Sequence, residues 1–162
     1  MFFEYLKKIN YDKTLLLSEV LEIPETSWNY WITPSSKIIK NYKQVYYDQV
    51  EKIEQIEIIL SQVRPIVDIG PVIIMRYEPY AQLPKHYDWK NKSAILVGIS
   101  DDSNILFWDK QNPEKVNYDY PILANLEEFH SVDNNINSYR YVLKIPTIED
   151  FNEVSEKLSY LY

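Results

Sequence analysis

Cysteine is absent from the 162 residues, which excludes disulfides, thiolate metal sites and a cysteine nucleophile. Glycine is almost absent too, with two residues, so turns fall mainly to Asn, Asp, Ser and Pro. No apolar run approaches the roughly 18 residues of a membrane span. The opening Met1-Phe2-Phe3-Glu4-Tyr5-Leu6-Lys7 sets charges where a signal peptide needs an apolar core. A cytoplasmic protein with no membrane partner is the expectation. Positive charge is also short: the net charge is −7 and the lysines are scattered, with Lys7-Lys8 and the Lys85 to Lys92 neighbourhood the modest exceptions. Phosphate binding relies on clustered Lys and Arg, so this balance disfavours nucleic acid as a partner.

What is present indicates one soluble globular domain. The length supports a single core spanning 1–162, and 46% hydrophobic against 25% charged residues suits a folded soluble chain. Tyrosine is abundant, which a genome rich in A and T explains as readily as a selected aromatic surface does. Trp28, Tyr30 and Trp31 crowd a Pro-bounded stretch. Such a cluster more often covers a core edge than lines a substrate cleft.

Along the chain the pattern is irregular to about residue 35, with Lys13 to Leu21 readable as a short strand or helix before Pro24. From about Ser36 to Val63 the spacing of Val45, Gln49, Ile53, Ile56 and Leu60 predicts a helix that Pro65 ends. Strands follow at Pro71 to Tyr77, Leu83 to Trp89, Ser93 to Ile99 and Asn104 to Trp108. Gln111 to Glu114 reads as a turn, then short strands at Val116 to Tyr118 and Pro121 to Leu123, with Ala124-Asn125 turning again. Glu127 to Val132 and Tyr139 to Ile145 complete eight short strands, the pattern of a closed or double-sheet all-β core. Thr147 to Tyr162 reads as an amphipathic helix begun by Pro146 or Thr147, with Phe151, Val154, Leu158 and Leu161 as its stripe. The first and last helices would serve as supports.

Both histidines of the chain fall in predicted strands. His86 heads His86-Tyr87-Asp88, and residues i and i+2 of a strand share a face. His130 opens His130-Ser131-Val132-Asp133-Asn134, and Arg140 follows it by ten positions. Two imidazoles and a carboxylate on one side make the 2-His-1-carboxylate set that suits non-haem Fe(II) and leaves coordination positions open. Arg140 can grip a carboxylate through two parallel hydrogen bonds, which a lysine does not reproduce. Singly, each residue has an ordinary alternative: a surface or satisfied core histidine, a common Asp, a strand-end charge. Together they point to iron and a dicarboxylate cosubstrate.

The segments Met75-Arg76-Tyr77-Glu78-Pro79 and Leu83-Pro84-Lys85-His86-Tyr87-Asp88 resemble the first ligand region of 2-oxoglutarate/Fe(II) dioxygenases. Phe129-His130-Ser131-Val132-Asp133-Asn134 through Arg140-Tyr141-Val142-Leu143 resembles their distal region. The detail is most similar to the aspartyl/asparaginyl β-hydroxylase-like group, which includes bacterial free-proline hydroxylases, and covers about residues 65–146. The resemblance implies a mainly β fold, a double-stranded β-helix (jelly-roll, cupin-like). It also implies His86, Asp88 and His130 as iron ligands, Arg140 as the cosubstrate clamp, and Fe(II), 2-oxoglutarate and O2 as the reacting set. Many relatives have Gly soon after the residue matching Pro79, where this chain has Tyr80. Several carry an Arg-x-His pair on the next strand, which here reads Ser93-Ala94-Ile95-Leu96-Val97-Gly98-Ile99; Tyr77 or Ser93 is the candidate for the missing cosubstrate hydrogen bond.

The function this implies is hydroxylation of a small molecule, such as an amino acid, or of a protein side chain, with release of succinate and CO2. Trp28, Trp31 and Trp89 are available to stack on a substrate ring, and Lys85, Lys90 and Lys92 either attract an anion or solvate the rim. Two alternatives stay open. One is a cupin-like enzyme using its metal as a Lewis acid without 2-oxoglutarate; the other is a non-catalytic jelly-roll binding or assembly module.

Overall fold

The computed structural model describes residues 1–32, 38–88, 90–101 and 103–162. These residues form strands β1 (Phe3–Tyr5), β2 (Asn29–Ile32), β3 (Ile38–Tyr46), β4 (Ile73–Tyr77), β5 (Gln82–His86), β6 (Ser93–Gly98), β7 (Asn104–Asp109), β8 (Asn112–Asn117), β9 (Ile122–Asn125), β10 (His130–Asp133) and β11 (Arg140–Thr147). The α-helices are α1 (Lys13–Leu21), α2 (Glu54–Val63) and α3 (Phe151–Leu158). The strands pair antiparallel in a large sheet, β1-β9-β6-β11-β4-β3-β2, and a small one, β5-β10-β7-β8. From β4 to β11 the chain changes sheet at every connection except the β7–β8 hairpin. That is the eight-stranded jelly roll.

Alternation along β11 shows why two cores form. Tyr141, Leu143 and Ile145 join Ile74, Ile95 and Val97 on the outer face of the large sheet, against Leu16, Val20, Ile56, Leu60, Val154 and Leu158 of the helices. Val142, on the other face, joins Met75, Tyr77, Leu96, Phe107 and Val132 between the sheets. Arg140 and Lys144 share the face of Val142. A strand of mostly buried residues therefore carries two cations inward, and this organises the site.

Several sequence expectations are corrected. Residues 38–46 form a strand, not the start of a helix; Tyr42 pairs with Tyr77 and Val45 with Ile74. Sheet pairing along β4 outweighs the four-residue spacing from Val45, which becomes helical periodicity only in α2; Ser36 lies outside the described residues. Asn112 to Glu114 belongs to β8, and the turn is Lys110-Gln111, between paired Asp109 and Asn112, with Lys110 at φ 55. Pro113 is tolerated because β8 is an edge strand that needs no further N–H donor. Ala124 and Asn125 lie in β9, paired with β1 and β6. The last helix starts beyond Thr147, where Asp150 accepts from the N–H groups of Asn152 and Glu153; Thr147 instead is buried and bonded to Ser93.

Candidate metal centre

His86 ends β5 and His130 begins β10, directly opposite each other, with Phe107 of β7 on the far side of His130. The β5–β10 pairing contains a bulge. Leu83 opposes Val132 and His86 opposes His130, so three steps on β5 match two on β10. The extra residue lets Leu83 and His86 both face the interior, while Lys85 turns outward. The two imidazoles meet at 4.4 Å between ring centroids.

Asp88 is placed differently from the sequence expectation. β5 stops at His86, so strand alternation does not carry Asp88 inward. Its N–H donates to the Leu126 carbonyl at 2.9 Å instead, a contact with the loop entering β10. The result keeps the expected convergence: one ligand atom from each of His86, Asp88 and His130 lies within 4.8 Å of the others, and Asp88 Oδ1 is 3.7 Å from His86 Nε2.

The backbone sets the tautomers. His86 Nδ1 lies 2.7 Å from the Pro84 carbonyl and His130 Nδ1 lies 2.9 Å from the Glu128 carbonyl. A carbonyl only accepts, so each Nδ1 holds the proton and each Nε2 lone pair is left for a metal. Burial, then the neighbouring His86, pushes His130 down to about 4; it is a neutral imidazole at neutral pH. Burial opposes ionisation of Asp88, but the Lys144 charge and hydrogen bond and the two imidazoles outweigh it and hold the carboxyl below its ordinary range. Two neutral nitrogens and one carboxylate oxygen suit a divalent ion such as Fe(II).

Arg140 is buried at 1% exposure. Its guanidinium lies 5.4 Å from the Tyr77 ring centroid and 5.6 Å from that of Tyr118, and Nη2 donates to the Asn104 carbonyl. Nε and Nη1 are buried and form no hydrogen bond of good geometry with any described residue, although the Tyr118 hydroxyl is near enough to act on the guanidinium. An unmade hydrogen bond of this kind costs about 1–3 kcal/mol; the two donors lie on different edges of the guanidinium, so one carboxylate would satisfy one of them. Tyr77 supplies its ring to Arg140, and its hydroxyl is directed at the Met75 sulfur, 3.8 Å away.

Ser93 does not face this space with a free hydroxyl, since its Oγ contacts Thr147 Oγ1 and donates to the Glu149 carbonyl. Trp28 packs on the helix side, over Arg76 and against Tyr141, and Trp31 packs against Tyr42. Trp89 lies outside the described residues. Lys85 spans the Trp108 and Phe129 rings and donates to the Lys110 carbonyl on the outer face of the small sheet. Two residues of the histidine motif are structural: Ser131 accepts from Trp108 Nε1, and buried Asn134 donates to the carbonyls of Glu78 and Ser138.

Sequence reasoning missed Tyr118 and Lys144. Nothing in the sequence marks Tyr118 as a neighbour of Arg140. Lys144 was detectable, because it stands four residues after Arg140 in an otherwise apolar strand and so on the same face. Its ammonium lies 2.5 Å from Asp88 Oδ2.

Neither a protein-family model nor a curated protein matches the sequence. Solved structures do match the fold. A prolyl hydroxylase from Trichoplax adhaerens, in complex with a hypoxia inducible factor oxygen degradation domain peptide fragment, superposes with a TM-score of 0.74 at 12% identity, over 95% of this chain and 86% of that one. A Pseudomonas putida prolyl-4-hydroxylase gives 0.59 at 10% identity, over 90% of each chain. The viral collagen prolyl hydroxylase of Paramecium Bursaria Chlorella virus-1, solved as a 2OG complex, gives 0.60 at 13% identity, over 91% and 95%. At these identities the likeness is one of fold: this chain has the double-stranded β-helix architecture of those hydroxylases.

Proposed function

We propose that this protein is a 2-oxoglutarate- and Fe(II)-dependent oxygenase that hydroxylates an amino acid or a protein side chain, with succinate and CO2 as co-products. The observation that carries the reading is the convergence of His86, Asp88 and His130 within 4.8 Å, and it is supported by the buried Arg140 guanidinium, with two donors unpartnered among the described residues. The fold supports it, since the superposing proteins include hydroxylases of a protein peptide and of collagen.

His86 Nε2, His130 Nε2 and an Asp88 oxygen would hold the metal on one side. Arg140 would bind the distal carboxylate of 2-oxoglutarate, its planar fork matching two oxygens. The rings of Tyr77 and Tyr118 lie beside that guanidinium and would help to hold it in place. When bound, iron and 2-oxoglutarate would activate O2, one oxygen atom entering the substrate C–H bond and the other the succinate that 2-oxoglutarate becomes as it loses CO2. The chain's part is to orient, to exclude water through the apolar inter-sheet core, and to leave one side of the metal accessible. The orphaned donors of Arg140 favour this reading over a cupin-like Lewis-acid enzyme, which needs no buried anion clamp. Incubating Fe(II)-loaded protein with 2-oxoglutarate in air tests it: wild type forms succinate and His86→Ala forms none. Equal succinate from both, or none from wild type with any amino acid or prolyl-peptide substrate, contradicts it.

A further inference from the structure

One inward charge has no role in that scheme. Lys144 projects from β11, which is held between β4 and β6 in the large sheet. Its ammonium donates to Asp88 Oδ2 at 2.5 Å. The other oxygen, Oδ1, is on the histidine side, 3.7 Å from His86 Nε2. The pair is shielded, with side-chain exposures of 13% for Lys144 and 22% for Asp88. The two carboxylate oxygens therefore have separate surroundings, one facing the cluster and one tied to the opposite sheet.

A carboxylate can bind a metal through one oxygen or both. An ammonium has three donors and no acceptor, so it occupies Oδ2 without competing as a ligand. We propose that Lys144 is a positioning residue that restricts Asp88 to coordination through Oδ1 alone. It thereby keeps open a coordination position that a chelating carboxylate would fill. The inference rests on the metal-centre reading above and deepens it: ligating carboxylates are oriented by outer partners, and here that partner is a lysine from the facing sheet. A cation beside a dication also repels it, so Lys144 organises geometry at some expense of affinity. The informative readout is therefore coordination rather than binding strength.

Mn(II) serves as the probe, with bound waters counted from the broadening of its electron paramagnetic resonance lines in 17O-enriched water. Wild type and Lys144→Arg are expected to hold the same number of waters, and Lys144→Met one fewer, as Oδ2 swings onto the ion. An unchanged water count in a folded Lys144→Met overturns the proposal. A crystal structure of Mn(II)-loaded wild type decides the matter if that variant does not fold. Oδ1 alone on the metal, with Oδ2 still on Lys144, supports the proposal; both oxygens on the metal overturn it. If wild type takes up no Mn(II), the metal-centre reading fails first, and this inference with it.

Discussion

Replacing Arg140 by Met would separate binding from folding at this site. The guanidinium is buried with Nε and Nη1 unpartnered among the described residues, each costing about 1–3 kcal/mol. The substitution also removes the Nη2 bond to the Asn104 carbonyl, worth about 1.5–3 kcal/mol for a charged donor. The two contributions oppose each other, about 2–6 kcal/mol for the two donors against about 1.5–3 for the lost bond, so their midpoints give a net of about 2 kcal/mol stabilising. For a chain of this size about 1 kcal/mol moves Tm by roughly 2–4 °C; the metal-free variant should melt at the wild-type temperature or a few degrees above it. Binding should behave oppositely. Truncating one side of a buried, hydrogen-bonded charge pair costs about 2–5 kcal/mol, which at about 1.4 kcal/mol per decade weakens 2-oxoglutarate by roughly 30-fold to several thousand-fold. Calorimetric titration of 2-oxoglutarate into Mn(II)-loaded wild type and variant measures the Kd, and a thermal scan gives Tm. An unchanged Kd refutes the clamp. A fall in Tm of the size seen for a core truncation refutes the argument that the donors are waiting for a ligand.

Two further outcomes follow from the same geometry. In Gly98→Ala a Cβ would meet Tyr118 Cβ at 2.7 Å and Ser103 Cβ at 3.1 Å; overpacking of this kind costs about 1–3 kcal/mol, so urea denaturation should give a lower midpoint, and the shift of Tyr118 should also weaken 2-oxoglutarate. Glu25 is held down to about 2 by hydrogen bonds from Arg76 and Lys43. A depressed carboxylate stabilises the fold above its ordinary pKa of 4.5 and loses that contribution as pH falls from there toward about 2. Glu25→Gln should therefore flatten the stability profile in that acid window and lie below wild type by a small constant amount at higher pH; the effect is small because the carboxylate is mostly solvated. An identical acid slope in wild type and variant would show that the pair contributes nothing.

The residues of the centre were legible in the sequence because rare residue types make their own signal. Two histidines and one Asp two positions from the first converge, and the Arg that opens an apolar strand is buried. Tyr77 was legible in part: its ring reaches Arg140, while its hydroxyl faces Met75. Asp88 converges, although by a bond to Leu126 rather than by strand alternation. The strands from β4 onward were readable because Val and Ile runs are separated by polar turns. Three features were less legible, each for a tertiary reason. β3 has a spacing that also suits a helix, and only its pairing with β4 decides between them. Pro113 signals a turn until the edge position of β8 makes it harmless. Tyr118 reaches Arg140 through the packing of β8 against the large sheet, which local pattern does not encode.

Joint binding of iron and 2-oxoglutarate is tested most directly by anaerobic titration. Adding 2-oxoglutarate to the Fe(II)-loaded protein should produce a weak visible charge-transfer band that saturates with the cosubstrate. His86→Ala should abolish the band, because the ligand set loses one of its two neutral nitrogens. Absence of the band in wild type, or its survival in His86→Ala, would contradict the account.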